Sequence, residues 1–286
     1  MISRARDGSL WQQARGRFLR NRVAVISLSV LVLLVLIAIV GPFLLTHGYD
    51  QINKADVWAP PGTAGYLLGT DSLGRDLLAR TLVGLRMSLA IGLVATIVAL
   101  GIGIAWGATA GYAGGRVDEL MMRIVDVLYT LPFIFFVILL MVTFGKNIIL
   151  IFLAIGAVEW LTMARIVRAQ TLSLKQREFV ESARATGLSA GAIVRDHIVP
   201  NLLGPVIVYG ALTIPAVILA ESFLSFLGLG VQEPMTSLGT LISRGAQDME
   251  LAPWLLIVPA SVMVCALMCL NFVGDGLRDA LDTRDR

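Results

Sequence analysis

A run of 23 residues, Val23–Leu45, contains no charged side chain. Roughly 20 apolar residues in helical form cross the hydrocarbon core of a bilayer. Within that core only a helix or a closed barrel satisfies every backbone N–H and C=O. Further apolar runs of similar length recur along the chain, so the expected fold is an all-α membrane protein. Composition agrees. The 286 residues are 57% hydrophobic and 15% charged, against roughly 45–50% apolar in a soluble domain. Val23–Leu45 is also too long for the apolar core of a secretory signal and lacks a small-residue cleavage site, so it reads as an uncleaved first span.

Five more spans are expected, at about Leu82–Ala110, Glu119–Phe144, Ile148–Val167, Asn201–Leu229 and Trp254–Val273. In the second, Gly103, Gly107, Gly111 and Gly115 recur every four residues. Such a stripe lets another helix approach closely. Pro132 predicts a kink in the third span. Gly145-Lys146-Asn147 reads as a short outer turn. Residues 46–81 form an expected extracytoplasmic loop containing Ala59-Pro60-Pro61-Gly62. Its end, Gly69-Thr70-Asp71-Ser72-Leu73-Gly74-Arg75-Asp76, has the Asp and Gly density of a tight, side-chain-bonded turn. Residues 230–253 form a second outer loop, where Leu238, Leu241 and Ile242 predict a short interfacial helix.

Orientation follows from where the basic residues fall. Cytoplasmic segments carry the excess of Lys and Arg. With six spans, 17 of the 23 Lys and Arg fall on one side. That side holds both termini, the turn at Gly114-Gly115-Arg116, and residues 168–200. Six of the 17 are Arg4, Arg6, Arg15, Arg17, Arg20 and Arg22. Interleaved with Trp11, Phe18 and Leu19, they predict a cytoplasmic amphipathic segment over 1–22 on an anionic lipid surface. Residues 82–276 would form the five-span core, with 277–286 a cytoplasmic tail.

Several chemistries are excluded. No GxxxxGK[ST] phosphate loop is present, because Gly145-Lys146 lacks the earlier glycine and Asn147 follows the lysine. Neither HExxH nor CxxC occurs. Two cysteines, Cys265 and Cys269, and two histidines, His47 and His197, form no zinc-type cluster. No aromatic-interleaved basic patch points to nucleic acid. The chain is therefore expected not to be an enzyme, to hold no metal, and to bind no cofactor of its own. Acids inside spans are costly and mark candidate sites. Glu159 could line a wet pathway, or lean on Arg165 or a partner subunit. Glu221 could make packing hydrogen bonds or line a path. Asp126 reads as paired with Arg123 on its own helix.

The polar segment 168–200 is long for a connection between two spans. Arg177 and Glu181 stand at i,i+4 spacing, and Ala183 and Ala185 keep one side slim. Gly187 reads as a C-cap. Ser189 can cap a second short helix over Ala190–Ile198, which Pro200 would stop. The expected product is a bent pair of short helices on the ATP side of the membrane.

These residues carry a family resemblance. Glu181-Ser182-Ala183, Gly187 six after the glutamate, and Pro200 thirteen after that glycine resemble the EAA loop of ABC-importer permeases. Ser182 stands where the family has alanine, and His197-Ile198-Val199-Pro200 departs from its IxLP ending. The segment 69–76, Glu221-Ser222-Phe223-Leu224-Ser225-Phe226-Leu227-Gly228-Leu229-Gly230, and Asn271–Asp282 resemble the dipeptide/oligopeptide (and nickel) branch. Within it the chain most resembles the oligopeptide permease C type.

The resemblance implies a permease subunit in a bacterial inner membrane, paired with a homologous second permease. Two cytoplasmic ATPases, binding ATP and Mg, would grip the loop through Glu181, Ser182, Ala183, Gly187, His197 and Pro200. An extracytoplasmic binding protein would deliver peptide. Glu159 and Glu221 are candidate pathway residues. Other readings are a proton-coupled secondary transporter using those two acids, an importer of nickel or glutathione-like substrates, and a non-transporting scaffold or sensor.

Overall fold

A computed structural model describes residues 10–281, apart from 64 and 146. Among the described residues eleven α-helices run in chain order: α1 Leu10–Arg20, α2 Arg22–Leu44, α3 Leu77–Ala113, α4 Gly115–Thr130, α5 Phe133–Phe144, α6 Ile148–Leu174, α7 Glu178–Ala185, α8 Ala190–Ile193, α9 Val199–Phe226, α10 Leu238–Gln247 and α11 Trp254–Leu281. Among the described residues five helical stretches are long and apolar enough to cross a membrane. The pair α4 and α5, which meet at 84°, would make a sixth.

The bend at Pro132 is a full break rather than a kink. A proline disfavours helical backbone in the residue before it. Leu131 accordingly sits extended at ψ 130°, and Pro132 becomes the N-cap of α5. The second span begins at Leu77, earlier than expected, because Asp76 caps it. The Asp76 carboxylate accepts from the N–H groups of Leu78 (2.8 Å) and Ala79 (3.2 Å).

The helices α3 and α6 form the spine of the bundle. Three of the four striped glycines face α6. A Cβ on Gly103 would come within 2.6 Å of Met163 Cβ, and one on Gly111 within 2.8 Å of Thr171 Cβ. Gly107 faces the Ala164 carbonyl oxygen, where any Cβ would collide. Gly115 has no such neighbour; it opens α4 at φ +55° instead. The stripe thus ends where α3 ends. Close backbone approach gains dispersion contacts that lipid cannot supply.

The two ends of the bundle differ. At one end, a loop over 45–76 meets the 227–253 segment. Tyr49 Oη donates to Met235 Sδ at 3.7 Å, and Arg75 reaches Glu233. The expected tight turn is present: Asp71 Oδ1 accepts from Leu73 N (2.9 Å) and Arg75 N (3.0 Å). The predicted interfacial helix exists as α10, but its apolar residues face protein rather than lipid. Leu238 packs with Ala38, Leu85 and Ala266, and Leu241 and Ile242 are buried. At the other end, the α3–α4 turn, the 175–200 segment and α1 come together. α1 lays Ala14 and Phe18 against the end of α11, where Phe18 borders Gly276. Arg4, Arg6, the 282–286 tail and Lys146 lie outside the described residues.

Candidate coupling and pathway sites

The segment after α6 is an ordered hook. Lys175 Nζ donates to the Tyr112 carbonyl at 2.6 Å, and Arg184 stacks 5.8 Å from the Tyr112 ring centre. Both contacts fasten the hook to the last turn of α3. Arg177 lies outside α7 as its N-cap, so the expected Arg177–Glu181 pairing within one helix is not what starts it. The helix then buries Val180 and Ala183 and leaves Glu178, Glu181, Ser182, Arg184 and Ala185 exposed. Ala183 and Ala185 therefore do not share a side. Val180 and Ala183 pack with Val167, Ile193, Ile198 and Leu202. Burying one valine-sized side chain stabilises by about 1.5–3 kcal/mol, so a single apolar face is enough to seat this short helix.

Gly187 ends α7 as expected. Its φ is +80°, a conformation glycine adopts without penalty. Leu188 N–H donates to Ala183 O (3.3 Å) and Gly187 N–H to Arg184 O (3.0 Å), the paired bonds of a Schellman cap. Ser189 Oγ then accepts from Ala192 N–H at 3.3 Å and starts α8.

Pro200 does not stop the second helix. Residues 190–226 run on as one long helical stretch. A proline ring collides with the carbonyl four residues back and offers no N–H. The chain resolves this with a π turn over Val194–Ile198, in which Val199 N–H reaches back to Val194 O. Pro200 then falls in the first turn of α9, where its missing donor costs little. Asn201 Nδ2 donates to the His197 carbonyl at 2.7 Å. Glu181, Ser182, Gly187 and Pro200 are exposed, His197 is half-buried and Ala183 is buried. The second arm of the hook is thus the start of a membrane-length helix.

Beside the hook, Arg168 grips Asp118 with two prongs, Nε–Oδ1 at 2.5 Å and Nη2–Oδ2 at 2.7 Å. Asp126 pairs with Arg165 at 2.8 Å, not with its helix neighbour Arg123. Arg165 also lies over the Tyr129 ring at 4.3 Å. It is thereby taken, and Glu159 does not lean on it. Glu159 instead lines a cavity of about 580 Å³ between the α4–α5 elbow and α6, with Tyr129, Pro132, Phe136 and Trp160. Glu221 is fully enclosed. Its Oε1 accepts from Ser225 Oγ (2.7 Å) and Ser237 Oγ (2.6 Å), which ties α9 to the start of α10.

One group escaped the sequence reading. At the loop end, Arg75 bridges Asp71 (2.8 Å) and Glu233 (2.8 Å), Arg244 also pairs with Glu233, and buried Arg80 lies 3.5 Å from Asp71. Hydrogen bonds from Arg244 and Arg75 hold the Glu233 carboxyl down at about 2. The Asp71–Arg75 spacing is visible in sequence. Nothing local announces Glu233, 158 residues from Arg75.

The model for binding-protein-dependent transport system inner membrane components matches residues 101–286. The chain belongs to that family. A second model, for the N-terminal transmembrane domain of oligopeptide transport permease C, matches residues 9–61. The permease is 56% identical over 97% of its length to the oligopeptide transport system permease protein OppC of Escherichia coli K12, covering 92% of that protein. It is 52% identical to the Haemophilus influenzae OppC, over 97% of this chain and 90% of that one. Against the Bacillus subtilis OppC it is 43% identical, over 97% and 91%. Its fold resembles a chain of the inward-facing MetNI methionine ABC transporter, with a TM-score of 0.57 at 20% identity, covering 71% of this chain and 96% of that one. Membership in this importer family supersedes the proton-coupled alternative.

Proposed function

We propose that this permease forms half of the translocation pathway of an ATP-driven oligopeptide importer. A homologous second permease would supply the other half. Two cytoplasmic ATPases, holding ATP and Mg, would each dock on one permease, and an extracytoplasmic binding protein would deliver peptide. High identity to OppC proteins along nearly the whole chain supports the substrate class.

The observation that carries the coupling role is the construction of the hook. α7 exposes Glu181 and Ser182 on one face and roots Val180 and Ala183 in the α3–α6–α9 core on the other. The second arm is continuous with α9. A push on the exposed face therefore acts on a membrane-spanning lever rather than on a loose loop. We read this end of the bundle as cytoplasmic, with both termini there. Arg15, Arg17, Arg20, Arg116, Arg123, Arg168, Lys175, Arg177, Arg184 and Arg195 belong to it, and cytoplasmic segments carry the basic excess. We assign Glu181, Ser182 and Gly187 to the docking surface. Ala183, His197 and Pro200 shape it from behind.

The test is to isolate the intact complex in detergent, identify the subunits that accompany this chain, and measure ATP hydrolysis with and without peptide-loaded binding protein. Two ATPases per complex and peptide-stimulated hydrolysis are expected. A chain that purifies with no ATPase contradicts the reading.

A further inference from the structure

We propose that the cavity around Glu159 is a transient site for the ammonium group of a peptide in transit. The inference rests on the peptide-import reading above and names chemistry for one point of the path. The cavity, about 580 Å³, falls within the roughly 300–1,000 Å³ of small-molecule sites. It exists because Pro132 breaks α4 from α5 and α6 closes the elbow. Tyr129, Thr130, Pro132 and Phe136 line it from the elbow, and Glu159 and Thr162 from α6.

Glu159 is the carboxylate of this cavity, and among the described residues no cation pairs with it. Arg165, the next cation along α6, is committed to Asp126 at 2.8 Å and to the Tyr129 ring at 4.3 Å. An intramembrane acid without a partner is costly and marks a function. The aromatic walls favour a cation twice over. They lower the local dielectric, which strengthens attraction to the carboxylate, and their ring faces attract positive charge. Peptides differ in every side chain but share an amino terminus. A site keyed to that group serves many sequences without reading them.

The floor of the cavity fits the same purpose. Tyr129 lines this cavity, and the Arg165 that lies over its ring lines a second cavity together with Asp126, Asp118, Glu119 and Arg168. An ammonium leaving this cavity past Tyr129 would meet the Arg165 guanidinium that lies over the ring. Like charges repel there, so the cargo waits until Arg165 and Asp126 part.

The experiment uses the whole complex in proteoliposomes, with two forms of one peptide, free and N-acetylated, both saturating the binding protein. Glu159→Gln preserves size and removes charge. Uptake of the free peptide should fall about tenfold, to the level at which wild type imports the acetylated peptide, whose uptake the substitution should leave unchanged. Glu159→Asp should recover part of the loss. Equal loss for both peptides, no loss for either, or loss of the second permease on purification would each overturn the proposal. A wild-type complex that imports neither form instead overturns the peptide-import reading itself.

Discussion

Arg168 and Asp118 are joined by two parallel hydrogen bonds, at 2.5 and 2.7 Å, across the gap between α6 and α4. The fork-to-fork geometry is the strong form of an ion pair. It anchors the start of α4 to α6 nearly two turns before the hook departs at Lys175. Asp118→Ala and Arg168→Ala should each lower the melting temperature of the purified permease. A double-mutant cycle should return a coupling of about 1–3 kcal/mol. A coupling near zero would show that the contact does not hold α4 in place.

The glycine stripe offers an internally controlled test of the spine. Gly107→Ala forces a methyl group against the Ala164 carbonyl, whereas Gly101 has nothing within 4 Å of a built Cβ. Overpacking at such a site costs about 1–3 kcal/mol. Thermal unfolding in nanodiscs should therefore fall for Gly107→Ala. It should stay level or rise for Gly101→Ala, since alanine is the better helix former by about 1 kcal/mol.

Gly187→Val should leave the permease inserted but weaken its association with the ATPase. The site has open space around it, so the penalty is backbone strain alone, about 1–3 kcal/mol for a non-glycine residue at positive φ. Co-purification of the ATPase is the measurement. Gly187→Asn should restore much of it, because asparagine tolerates this conformation. Full ATPase recovery with valine would sink the account of the hook as a rigid capped element.

The ionic cluster of the loops makes stability depend on acid. Glu233 has a folded pKa of about 2 against an ordinary 4.5, lowered first by the hydrogen bond from Arg244. A depressed carboxyl pKa contributes stability that is complete above the unfolded value. That contribution fades as pH falls from about 4.5 towards 2. The hydrogen-exchange protection factors of the 230–237 backbone amides, taken against intrinsic exchange at each pH, should fall across that window. In Glu233→Gln protection should already be low at neutral pH and change little with pH. Glu233 is partly exposed, so the effect should be local opening rather than global unfolding.

Much of the candidate site is legible in the sequence. Gly187 and Ser189 behave as caps because capping is decided within four or five residues of chain. Gly103, Gly107 and Gly111 face another helix because their spacing leaves only one face free of side chains. The errors arose where a remote partner or a long-range path decided the outcome. Asp126 had Arg123 beside it in sequence, yet Arg165, 39 residues away, lies closer in the fold. Pro200 looked like a stop, but a π turn absorbed it because α9 had its own packing to continue.

The sequence by itself determined that this chain crosses a membrane as helices, and where it presents a polar, capped hook between two spans. Apolar length and capping chemistry are local properties, and hydrocarbon permits no other backbone solution. The tertiary structure alone decided which charges meet. Arg75 finds Glu233, Arg165 finds Asp126, and Glu159 is left with a cavity instead of a cation. Those pairings depend on how helices distant in sequence stack, and no short-range pattern encodes the few ångströms that separate a salt bridge from an unpaired acid.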